Sequence, residues 1–90
     1  MRVRLFGTLR DAADAKEITL DLSTGTVRSM LDGLRSGYPE LAPSIVDTEG
    51  NLKRSVHVLV NGRSIRFLEG LDTPVCADDR LAIFPAVGGG

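Results

Sequence analysis

Residues 55–68 read SVHVLVNGRSIRFL, from Ser55 to Leu68, and carry the strongest strand signal in the chain. Val56, Val58 and Val60 alternate with His57 and Leu59. A period of two puts successive side chains on opposite faces of a half-buried strand. Asn61-Gly62 follows, the favoured two-residue hairpin turn, since both positions tolerate positive φ. Ile65 and Phe67 continue a returning strand. Everything else is placed around this hairpin.

Downstream, EGLDTPVCADDR reads as a loop and RLAIFP as the last strand, with Leu81 and Ile83 on one face and Ala82 and Phe84 on the other. Pro85 has no N–H to give and ends the ladder. Upstream, RVRLFGTLR alternates Val3 and Leu5 against Arg2 and Arg4. KEITLDLS places Ile18, Leu20 and Leu22 opposite Glu17, Thr19 and Asp21. The polar stretch TLRDAADAKE between them reads as the longer loop of a hairpin. The period then changes. Thr26 is a helix N-cap, and Val27, Met30, Leu31 and Leu34 share one helical face. Gly37 and Pro39 end that helix. PELAPSIVDTEGNL is a connection with room for a short helical turn before Pro43 or around Ile45.

Composition bounds the function. Ninety residues make one domain, and a chain of this size buries only about 60–65% of its unfolded surface, leaving little room for a deep catalytic cleft. Apolar residues are 42% and charged residues 26%, ordinary for a globular protein. No apolar run is long enough to span a bilayer, and the N-terminal segment lacks the pattern of a signal peptide. The formal net charge is −1, with both signs interspersed, which argues against nucleic acid as the main partner. Cys76 is the only cysteine, so no internal disulfide forms and a reducing cytoplasm is the expected compartment.

The order strand, strand, helix, connection, hairpin, strand predicts an α+β roll. One main helix covers a mixed four- to five-stranded sheet, and the first and last strands pair in parallel at its centre. This is the β-grasp (ubiquitin-like) arrangement. The domain is expected over residues 1–84, with a flexible diglycine tail over 85–90. Alternation puts Val3, Leu5, Leu81 and Ile83 beneath the helix. It leaves Phe6, Leu59 and Phe84 on the opposite face, where an aromatic and aliphatic patch is expected to meet a partner.

The chain resembles the ubiquitin-like sulfur carriers: MoaD of molybdopterin synthase, ThiS of thiamine synthesis, CysO of a cysteine-forming pathway, and the archaeal small modifier proteins. The residues that carry the resemblance are VRLFGTLRDAA, VNG at 60–62, ADDRLAIFPAVGGG and the closing Gly89-Gly90. Gly88 stands where the family usually has alanine.

The resemblance implies a reaction at Gly90. Its carboxylate, with a pKa near about 3.3–3.7, is ionised and a poor electrophile. An adenylating partner of the ubiquitin-activating type would convert it with ATP to a mixed anhydride. Sulfur from a persulfide enzyme would then leave a thiocarboxylate for a sulfur-accepting synthase subunit. No cofactor is bound by the carrier itself, and it supplies no acid, base or metal. Val87, Gly88, Gly89 and Gly90 would enter the partner's active site. Glycine suits a narrow channel because it has no Cβ, and Pro85 to Gly90 extended spans at most about 20 Å.

Two other functions use the same features. A protein modifier would join the activated carboxylate to lysine, and Lys16 and Lys53, the two lysines, are candidate acceptors for self-linked chains. A β-grasp interaction module would never react. The remaining polar residues have structural readings: His57 a solvated strand residue, Cys76 a small apolar filler, Asp78-Asp79 a solvated turn, and Asn61-Gly62 a turn only.

Overall fold

A computed structural model describes residues 1–85 of the chain. Its main sheet contains β1 (Arg2–Leu5), β2 (Glu17–Thr19), β4 (His57–Val60), β5 (Arg63–Ser64) and β7 (Leu81–Phe84), in the order β2-β1-β7-β4-β5. A two-stranded sheet pairs β3 (Thr24–Thr26) with β6 (Pro74–Cys76). The long helix α2 (Val27–Gly37) packs over the main sheet, and a short helix α1 (Thr8–Ala13) follows β1. This is the β-grasp roll.

β1 and β7 lie at the centre and run parallel, with Val3 opposite Leu81, Arg4 opposite Ala82 and Leu5 opposite Ile83. A parallel pair needs a crossover, which the long intervening chain with α2 provides. Val27, Met30, Leu31 and Leu34 of α2 are fully buried, as are Val3, Leu5, Val58, Leu81 and Ile83 of the sheet. The Thr26 hydroxyl accepts from the Ser29 N–H, and the Ser29 hydroxyl accepts from the Thr26 N–H. This reciprocal pair satisfies two donors at the helix start. The short 3-10 turn Ala42–Ser44 lies in the connection, where a helical turn is expected.

Three segments differ from the sequence reading. The loop TLRDAADAKE contains α1, six residues long, which buries Leu9 and ends at Asp14 with φ 54° and ψ 38°. A helix this short shows too little of a 3.6-residue period to stand out. The strand after Asn61-Gly62 stops at Ser64. The Ser64 hydroxyl accepts from the Arg66 N–H, and this local bond diverts the backbone into a 3-10 turn over Ile65–Phe67. Ile65 is buried there while Phe67 is 87% exposed. Finally, EGLDTPVCADDR holds β6, paired antiparallel to β3 with Val75 buried. A three-residue strand with proline at its head gives almost no periodic signal.

Asn61 does more than turn the chain, and Asp79 is not merely solvated. The Asn61 side-chain amide donates to Asp79 Oδ1 at 3.0 Å, and its carbonyl accepts from the Arg80 N–H at 2.9 Å. Asp79 Oδ2 accepts from the Cys76 N–H at 2.8 Å. The hairpin turn is thereby tied to the residue before β7. Cys76 itself is half-buried in β6.

The Asn61 amide, then the Cys76 N–H, hold the Asp79 carboxyl below its ordinary value of 3.8. A carboxylate with a lowered folded pKa stabilises the fold above its unfolded pKa and loses that contribution as pH falls through the folded one. Asp79→Asn should therefore be less stable than the parent at neutral pH. The gap should close on acidification below about pH 4, as read from urea midpoints. A gap that stays constant to pH 2 would remove charge as the cause.

Candidate partner face and tail root

The alternation that buries Val3, Leu5, Leu81 and Ile83 turns Arg2, Arg4, Ala82 and Phe84 to the other side of the sheet. Because β1 and β7 are adjacent and parallel, Phe6 and Phe84 meet just beyond their paired residues. Their rings stack with centroids 4.2 Å apart and planes within 11°. The Arg4 and Arg10 guanidiniums lie 5.5 Å and 5.1 Å from the Phe6 centroid, within cation–π range. Arg10 Nε donates to the Leu5 carbonyl at 2.8 Å, which fixes that side chain. In β4, His57 pairs with Phe84 and Leu59 with Ala82. Phe6, Leu59 and Phe84 thus share one face, each half-buried.

At the end of β7, Pro85 is half-buried and meets Gly7. Gly7 has φ 57° and ψ −136°, the mirror image of an extended L residue. A Cβ on Gly7 would sit 2.8 Å from Pro85 Cγ. Glycine is needed there for two separate reasons, and Pro85 packs on that bare backbone. Val87, Gly88, Gly89 and Gly90, and the tail expected beyond Pro85, lie outside the described residues.

Lys16 and Lys53 are exposed, with Lys16 just before β2 and Lys53 before β4. Among the described residues, no cluster of three or more His, Cys, Asp or Glu side chains is placed to hold a metal ion. Among the same residues, no helix is long and apolar enough to cross a membrane.

Three features escape the sequence reading. Arg4 and Arg10 around Phe6 depend on tertiary placement. Gly7 shows only as a glycine between a strand and a polar stretch. Phe67 is assigned there to a strand, although Ser64 two residues before Arg66 is the local signal for a turn.

The ThiS family model matches residues 3–90. The chain belongs to the ThiS family. This ThiS-family chain is 33% identical to small archaeal modifier protein 3 of Haloferax volcanii, over 100% of its length and 98% of the relative's. It is 31% identical to the sulfur carrier protein CysO of Mycobacterium tuberculosis, over 80% of each chain. Its fold matches the Amycolatopsis orientalis BexX/CysO complex with a TM-score of 0.80 and 31% identity, covering 99% of this chain and 98% of that one.

The Gly7–Pro85 contact in this ThiS-family chain is open to a double-mutant test. Gly7→Ala should cost about 1–3 kcal/mol through the forbidden φ and the contact with Pro85. In a Pro85→Ala background the same change should cost less, because only the backbone strain remains. Equal costs in denaturant melts would show that the two residues do not press on each other.

Proposed function

We propose that this protein is a sulfur carrier whose Gly90 carboxylate is activated and thiolated by partner enzymes. The observation that supports it best is the combination, on one side of a β-grasp body, of an aromatic–aliphatic face with the root of a glycine tail. The Phe6–Phe84 stack and Leu59 would dock on an adenylating enzyme of the ubiquitin-activating type. That would carry the segment after Pro85 toward the enzyme's nucleotide.

The chemistry would belong to the partners. A Gly90 carboxylate oxygen would attack the α-phosphorus of ATP, with pyrophosphate leaving and an acyl adenylate forming. The terminal sulfur of an enzyme persulfide would then attack the acyl carbon and displace AMP. A second thiol would cleave the resulting acyl disulfide, taking one sulfur into a new disulfide and leaving the thiocarboxylate. A sulfur-accepting synthase subunit would consume it. This chain contributes docking and reach.

A second reading, a modifier joined to lysines through the same carboxylate, is favoured by the 33% identity to small archaeal modifier protein 3. The exposed Lys16 and Lys53 would be acceptors in self-linked chains. Intact mass separates the readings, since a carrier yields a thiolated monomer and a modifier yields conjugates.

Deleting Gly90 leaves Gly88-Gly89 at the end but withdraws the carboxylate by about 3.5 Å. A misplacement of about 1 Å can cost a hundredfold in rate, so ATP–pyrophosphate exchange should fall by at least that factor. Gly89→Val should also block it, through a branched Cβ in the channel. Parent rates in both variants would show that the tail is not the reactive element, and an unreactive interaction module would then be the better account.

A further inference from the structure

Phe67 stands out among the described residues as the large apolar side chain left open to solvent, at 87% exposure. It is not isolated. A groove of about 640 Å³ runs from it across His57 and Leu59 to Phe84 and Pro85, with Arg63 along its edge. Phe67 therefore continues the face that carries Phe6, Leu59 and Phe84, and does so right beside the tail root. Its position is built. Ile65 is buried in the same short turn, and the Ser64 hydroxyl fixes that turn's start.

Among the described residues, the charged side chain that lines this groove is an arginine. Arg63 lines it, and in the turn that holds Phe67 the Arg66 guanidinium donates to the Arg54 carbonyl. Among the described residues, no carboxylate lines the groove. Glu69 and Asp79 border a separate hollow on the other side of Arg63, and neither forms an ion pair with Arg63 among the described residues. An exposed aromatic in an apolar trough with an arginine at its edge suits an apolar side chain flanked by carboxylates on a protein surface.

We propose that the Phe67 groove is a second subsite of the partner-binding face, occupied by an apolar side chain of a protein partner whose neighbouring carboxylates meet Arg63. This rests on the carrier reading above, because it takes the adenylating enzyme as that partner. The face then has two parts. The Phe6–Phe84 stack lies over the central strands beside Pro85, and Phe67 grips beyond the sheet edge. Two separated grips on one face would fix the orientation of the body on the partner.

The test measures affinity for the purified cognate adenylating enzyme by calorimetry, alongside ATP–pyrophosphate exchange. Phe67→Ala should weaken binding about tenfold or more with an unchanged melting temperature, because the ring is exposed in the free protein. Arg63→Glu should weaken binding and flatten its salt dependence, whereas Arg35→Glu on the exposed side of α2 should leave both unchanged. If the parent is activated and Phe67→Ala binds as tightly, the subsite is wrong and the carrier reading stands. If the parent is neither bound nor activated, the carrier reading fails and the subsite with it. If Phe67→Ala instead abolishes a concentration-dependent dimer seen by sedimentation, the groove belongs to a second copy and the proposal is overturned.

Discussion

The parallel pairing of β1 with β7 is the constraint on which the rest of the structure depends. It joins the two ends of the chain at the middle of the sheet, where Val3 faces Leu81 and Leu5 faces Ile83. All four side chains are buried with α2, so the core cannot form without bringing the ends together. Their juxtaposition then stacks Phe84 on Phe6 and sets Pro85 against Gly7. The candidate partner face and the placement of Pro85 arise from one register. A slip of one residue would exchange the buried and outward faces of β7, taking Phe84 into the core and Ile83 out of it.

Neighbouring elements hold β7 from both sides. Four residues of β4 pair with it, from His57–Phe84 to Val60–Leu81. At its start, Asn61 and Asp79 link the hairpin turn, Cys76 and Arg80. These bonds anchor the start of β7, the end opposite Pro85. A protein of this size with a small core has little capacity for a preorganised active site, and the proposed reliance on partner enzymes for chemistry suits such a fold.

Much of this was legible in the sequence, for a physical reason. The strands and α2 bury one face each, and burial imposes a period that a reader can count: Val56, Val58 and Val60 in one case, Val27, Met30, Leu31 and Leu34 in the other. The outward placement of Phe6, Leu59 and Phe84 followed from the same alternation. What stayed hidden is local or tertiary. α1 is too short to show a period. β6 exists because β3 is there to pair with it, and Thr24–Thr26 and Pro74–Cys76 are far apart in sequence. The end of β5 was decided by one hydroxyl, that of Ser64, which outweighed the alternation of Ile65 and Phe67. The role of Gly7 depends on where Pro85 comes to lie, which no local pattern reports.

The central claim is that the glycine end of this chain accepts sulfur while its body only docks. The most direct measurement is the intact mass of the unmodified protein after incubation with the purified adenylating enzyme, ATP and a persulfide sulfur source. The account predicts an ATP-dependent mass gain equal to replacing one oxygen by one sulfur, localised by fragmentation to Gly90. An unchanged mass, under conditions where the same enzyme thiolates another carrier, would contradict it.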